Sequence, residues 1–148
     1  MGNSKLVYYC EEAKKEAVKS GLHRRHGVVV VHKKRIIARG YNKYILNCRH
    51  KRRLSIHAEM DAISNMPPNI PYSECTIVVV RIDRFVNADD GNKYFDIFRY
   101  SHPCVNCAPV LNKLNFQKIV YSTDECEFIP ELKKFKMKEL TVVKKVKV

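Results

Sequence analysis

The sequence predicts an α/β layered fold in which at least part of the sheet is parallel. Three observations predict it. Helix-period segments alternate with short β-branched runs along the chain. The run TIVVVRI is apolar almost throughout, as in a central strand covered on both faces. No repeat, linker or low-complexity block divides the 148 residues, a length that suits a single domain spanning 1–148.

The elements follow in order. Leu6, Tyr9, Cys10, Ala13 and Ala17 fall at three-to-four spacing, predicting a helix over 5–20 that Gly21 ends. GVVVVHKKRIIARGYN reads as two strands, Val28–Val31 and Arg35–Arg39, joined by a basic turn around Lys33. IHAEMDAISNM has a helical pattern stopped by Pro67 and Pro68. After TIVVVRI, residues 83–100 surround NADDGN and read as a loop or an excursion with its own short hairpin. VNCAPVLNKLNF predicts a helix that tolerates Pro109 only near its first turn, and KIVYS predicts a strand. PELKKF offers a short helix opening on Pro130, and ELTVVKKVKV a last strand whose lysines suit an exposed edge.

Composition bounds the function. A hydrophobic content of 45% excludes wholesale disorder. No apolar run approaches the roughly 20 residues of a membrane span, so no membrane partner is expected. The start, Met-Gly-Asn-Ser-Lys-Leu, lacks a signal peptide's apolar segment, and Leu6 stands where a myristoylation motif on Gly2 needs Ser or Thr. The expectation is a soluble, cytoplasmic protein. Net charge is +13 and unevenly placed: residues 17–55 hold twelve Lys or Arg and no acid, and residues 131–148 hold seven lysines against two acids. Such a surface favours anionic partners, nucleotide phosphates or a nucleic-acid backbone, although a merely solvated basic face fits as well.

Six cysteines without a secretory signal favour metal binding or burial over disulfides. Only Cys104 and Cys107, in SHPCVNC, have a spacing with chemical meaning. A second site using Cys48 and His50 lacks evident partners. His57 and Cys104 each follow a predicted loop at a predicted helix start, where the partial positive charge favours a thiolate. Two sulfurs and a neutral imidazole suit zinc, and three protein ligands leave a fourth position open for water. Glu59, two residues after His57, can reach that water without ligating the metal and can shuttle its proton. Two alternatives stay open. The Cys-x-x-Cys pair could be a redox couple, or a structural zinc could recruit His102, Cys75 or Cys126 as a fourth ligand and leave Glu59 without a role.

HAE at 57–59 followed by PCVNC at 103–107 resembles the zinc-dependent cytidine and deoxycytidylate deaminase superfamily. IARGYN at 37–42 is similar to the strand and Gly-x-Asn loop that sends an Asn to the substrate in these enzymes, and the likeness runs from about residue 5 to 123. The resemblance implies a three-layer α/β/α sandwich around a mixed five-stranded sheet. It implies zinc on His57, Cys104 and Cys107, with Glu59 moving protons. Backbone at Ala58 would contact the ring and the Ser101 carbonyl would accept from the departing amine. Asn42 would bond the base or sugar, and His102 would line the pocket. The activity implied is hydrolytic deamination of a nucleobase, with a cytosine nucleotide such as dCMP as the favoured substrate and a homo-oligomer as the expected assembly.

Two departures flank the substrate rather than the reaction. His102 stands where relatives commonly place Glu or Tyr, and the stretch between Glu59 and Pro103 is long, the excess falling in 83–100. The signature of free-cytidine deaminases is not evident after the first strands, which counts against free cytidine. A base within RNA or single-stranded DNA is the competing substrate, since the acid-free stretch 17–55 fits a polyanion. Tyr41, Tyr44, Phe85, Tyr94, Phe95, Phe98 and Tyr100 could stack on bases, though ordinary packing explains most of them. A third reading is a non-catalytic, zinc-stabilised nucleic-acid-binding module, against which the intact Glu59 argues.

Overall fold

The computed structural model describes residues 3–47, 52–87, 93–124, 126–129, 134–137 and 140–147. Gly2, the Cys48 and His50 pair and residues 130–133 lie outside the described residues. The predicted first helix is present as α1, Asn3–Val18, followed by β1, Arg25–His32, and β2, Arg35–Tyr41. The β1–β2 turn places Lys33 and Lys34 at φ 48° and 66°, the left-handed conformation that a two-residue hairpin demands. Tyr9 Oη donates to the Lys34 carbonyl at 3.0 Å and fixes the turn to α1.

The central strand, β5, runs from Cys75 to Asn87, longer than TIVVVRI alone. It pairs antiparallel with β1 and parallel with β7, Lys118–Ser122, giving the order β10-β7-β5-β1-β2 with β10 at Leu140–Val143. β6, Lys93–Arg99, lies off that path and pairs antiparallel with the distal half of β5, from Arg81↔Arg99 to Asn87↔Lys93. The predicted five-stranded mixed sheet is therefore a five-strand path with a sixth strand added, and the 83–100 excursion contains the expected hairpin, built from the distal half of β5 and from β6.

The uninterrupted apolar runs follow from burial on both faces. Val29, Val31, Val78, Val80 and Val120 pack with Tyr9, Cys10 and Ala13 of α1. Val28, Val30, Ile77, Val79 and Ile119 face Ala58 and Ala62 of α2, Ala58–Ser64, and Ala108 and Leu111 of α3, Cys107–Leu114. This is the three-layer α/β/α arrangement. Gly27 makes the first layer possible: a Cβ there would collide with the Ala13 carbonyl oxygen and lie 2.5 Å from the Ala17 nitrogen. Asn115, left-handed at φ 62°, closes α3.

Three sequence expectations are corrected. Residues 43–56 form an antiparallel ribbon, β3, Lys43–Asn47, with β4, Arg52–Ile56, where no strand was expected. The helix proposed from Pro130 gives way, at its described end, to strand β9, Lys134–Met137, paired with β8, Cys126–Ile129. The last strand stops at Val143, and the chain turns back so that Asn112 of α3 bonds both the nitrogen and the carbonyl of Val146, at 2.9 and 2.8 Å.

Candidate active site

β3 begins one residue after Asn42 and β4 ends one residue before His57, with Lys43 paired to Ile56. The ribbon therefore brings Asn42 and His57 together at its base. β6 returns the chain beside Arg81, so residues 100–104 enter at the same end of the sheet. These segments enclose a cleft of about 410 Å³ that includes Asn42, His57, Ala58, Glu59, Ser101, His102 and Cys104 in its walls.

His57 is the N-cap of α2, extended at φ −74°, ψ 151°. Its Nδ1 lies 3.4 Å from Cys104 Sγ and 3.2 Å from Cys107 Sγ, and the three donor atoms lie within 4.8 Å of one another. Zinc bond lengths in a tetrahedron give a nitrogen-to-sulfur edge of about 3.6 Å, so the triad is already near the spacing a zinc ion requires. The donor chemistry agrees with the geometry. Burial pushes the Cys107 thiol upward, and the Glu59 and Cys104 charges push it the same way. A dication among the donors reverses that balance and holds the sulfurs as thiolates. His57, Cys104 and Cys107 are positioned to bind a metal ion.

The local structure differs from expectation at the cysteines. α3 begins at Cys107, so Cys104 sits in the preceding turn, where its carbonyl accepts from the Ala108 N–H at 2.9 Å. No fourth protein ligand joins the cluster among the described residues; Cys75 is buried elsewhere, its thiol donating to the Pro71 carbonyl. Three protein donors would leave a tetrahedral ion one further position for water, as the catalytic reading requires.

Glu59 is only 5% exposed, in the first turn of α2. Burial raises its carboxyl above the usual carboxylate range, while its own backbone N–H, His57 and Cys107 oppose the shift. Ser101 is clamped by the sheet: its Oγ bonds the Val79 carbonyl and Ser122 Oγ, both at 2.9 Å, and its N–H donates to the Ser122 carbonyl at 3.0 Å. The His102 ring stacks on Tyr100 at 5.9 Å and meets Tyr121 edge-on at 5.2 Å. Asn42 is buried, its Oδ1 accepting from the His26 N–H at 2.8 Å and its Nδ2 donating to the Arg24 carbonyl. Asp61 of α2 holds the strand on either side of Asn42, accepting from the Tyr41 N–H at 3.1 Å and pairing with Lys43 at 3.0 Å.

Sequence reasoning missed Arg24, His26 and Arg81, which also line the cleft. Arg81 had a signal, as the one charge inside TIVVVRI. Of the aromatic candidates, Tyr100 lines the cleft, Phe98 packs toward α1, and Tyr41 lies 4.2 Å from the Lys43 ammonium. The side chains of Phe85, Tyr94 and Phe95 lie outside the description.

The family described as "Cytidine and deoxycytidylate deaminase zinc-binding region" matches residues 3–123. No curated protein matches the chain. Among solved structures, the apo dCMP deaminase of the cyanophage S-TIM5 is similar at a TM-score of 0.61 and 17% identity, covering 84% of this chain and 86% of that one. The same phage enzyme in complex with dCMP and dUMP is similar at a TM-score of 0.59 and 15% identity, covering 84% and 85%. At these identities the likeness speaks for the fold, and the family match speaks for the site. The chain belongs to the cytidine and deoxycytidylate deaminase family, and the matched zinc-binding region includes His57, Cys104 and Cys107.

Proposed function

We propose that the protein hydrolytically deaminates the cytosine ring of a nucleotide, converting dCMP to dUMP. The observation that carries this reading is the His57, Cys104 and Cys107 triad with buried Glu59 beside it, opening onto a cleft of about 410 Å³. Zinc held by the triad supplies a Lewis acid that makes water acidic near neutral pH.

The chain's own groups do the rest. Glu59, raised by burial, is suited both to accept a proton from the attacking water and to return one to the ring and the leaving amine. The bond from C4 to the exocyclic nitrogen breaks, a C4–oxygen bond forms, and ammonia leaves. Ala58 backbone borders the ring, and the Ser101 carbonyl accepts from the departing amine. Clamping of Ser101 by Ser122 keeps that acceptor from drifting. His102, held by Tyr100 and Tyr121, walls the base. Asn42 reaches the base or sugar with whatever bonding capacity its backbone contacts leave. The dCMP and dUMP bound by the phage enzyme of the same fold support a pyrimidine mononucleotide.

One observation favours the polynucleotide reading. The β3–β4 ribbon beside the cleft lies in the acid-free stretch and exposes Tyr44, Ile45 and Leu54. The deciding experiment is ammonia release by zinc-loaded protein from cytidine, deoxycytidine, their monophosphates, cytosine, adenosine, guanine and short single-stranded RNA and DNA. Turnover of dCMP above the others supports the proposal. Turnover only of polynucleotides overturns the choice of substrate, and no turnover at all overturns the enzyme.

A further inference from the structure

We infer that Arg24 and Arg81 form a dianion subsite in the cleft that receives the terminal phosphate of a nucleoside monophosphate. The inference rests on the deaminase reading of this cleft and names the groups that would set its substrate class. Both arginines line the cleft. Three arginines of the described structure, Arg25, Arg39 and Arg99, have acidic partners: Asp96 at 2.9 Å, Glu12 and Glu16 at 3.4 Å, and Asp83 at 3.7 Å, whereas Arg35 is exposed and has none. Among the described residues, neither Arg24 nor Arg81 has an acidic partner within salt-bridge distance. The Arg81 Nε is buried and without a hydrogen-bond partner. A guanidinium nitrogen withdrawn from water and left unbonded is unfavourable until an acceptor completes it, and an anion does so most strongly.

The two groups are also held in place. Arg81 sits opposite His26 in the β1–β5 register, and its own N–H donates to Ser122 Oγ at 3.2 Å. Asn42 ties the Arg24 carbonyl and the His26 N–H to the end of β2, fixing the backbone from which Arg24 projects. The cleft's one carboxylate is Glu59, which is engaged beside Cys107 and does not neutralise the arginines. A terminal phosphate carries close to two negative charges and three acceptor oxygens, which two guanidinium forks match. An internal phosphodiester offers one charge, so the pair selects a mononucleotide over the interior of a strand.

The test compares wild type, Arg81→Gln, Arg81→Lys and Arg24→Gln, all zinc-loaded. Steady-state kinetics on dCMP and deoxycytidine are measured beside calorimetric binding of dUMP and deoxyuridine. Loss of a charge-assisted bond to phosphate should lower the preference for dCMP over deoxycytidine by roughly tenfold to a hundredfold in Arg81→Gln. Arg24→Gln should act in the same direction, and Arg81→Lys should recover part of the loss. Equal loss on dCMP and deoxycytidine overturns the subsite, as does wild-type preference for single-stranded DNA. Wild type that deaminates both small substrates equally removes the subsite and leaves the deaminase. Wild type that deaminates neither removes the deaminase reading, and the binding data then decide: dUMP binding weakened by Arg81→Gln sustains the subsite, and unweakened or absent binding overturns it.

Discussion

Gly40 of β2 lies under α2, the helix that carries Glu59 and is capped by His57. A Cβ at position 40 would press on the Ala62 nitrogen and lie 2.7 Å from the Ala58 carbonyl oxygen and 2.9 Å from Ala62 Cα. All three are helix backbone, so no side chain can rotate away. Ordinary contact begins near 3.4 Å, and Gly40→Ala therefore pushes the start of α2 outward by at least about 0.7 Å, the shortfall at the Ala58 oxygen, with the Ala62 nitrogen closer still. Overpacking of this kind costs about 1–3 kcal/mol, which for a chain of this length lowers the melting temperature by roughly 3–10 °C. The catalytic effect should be larger than the stability effect. His57 and Glu59 move with the helix while Cys104, in the turn before α3, and Cys107, at its start, stay in place, and a misplacement near 1 Å costs about a hundredfold in rate. The assay is kcat/KM for ammonia release, with zinc content and thermal unfolding on the same preparations. Gly21→Ala is the control, because nothing lies within 4 Å of a Cβ there. A Gly40→Ala protein within threefold of wild type in kcat/KM, melting at the same temperature, would refute the claim that this close approach sets the geometry of the site.

Two further perturbations address the metal and the acid limb. Cys104→Ala should lose zinc and melt at a lower temperature, matching chelator-treated wild type, because bound metal contributes to folding; stoichiometric zinc by atomic absorption in the variant contradicts the ligand assignment. Burial holds the His26 imidazole down at about 4, from an ordinary 6.5. A lowered folded pKa makes its contribution complete above pH 6.5 and lost as pH falls toward 4, at most about 3 kcal/mol. Urea unfolding of zinc-free wild type and His26→Gln across pH 7 to 4 should show a steeper acid loss in wild type. Parallel curves would remove His26 from that account.

The candidate site was more legible in the sequence than the fold that holds it. A His-x-Glu and a Pro-Cys-x-x-Cys carry their chemistry in fixed local spacing, and the structure brings His57, Cys104 and Cys107 together across 47 to 50 residues. α1 was legible because one face is buried and its periodicity is clean, and β1 was legible as an unbroken apolar run buried on both faces. β3 and β4 were not: KYILN and RRLSI make a ribbon whose described side chains Tyr44, Ile45 and Leu54 are exposed, so no burial imposes a pattern. Pro130 suggested a helix start, yet KFKM alternates with period two and belongs to β9. The helix start expected at Cys104 falls three residues later, at Cys107, because residues 101–106 form a loop and a turn before α3.

In the proposed reaction Glu59 moves protons for a hydrolysis carried out beside a zinc triad it does not join. Glu59→Gln keeps the shape and removes the base, so zinc content and dCMP-dependent ammonia release measured on one preparation separate the two roles. One zinc per chain, an unchanged fold by circular dichroism, and a loss of at least a hundredfold in kcat are expected. Zinc retained with activity near wild type would contradict that role.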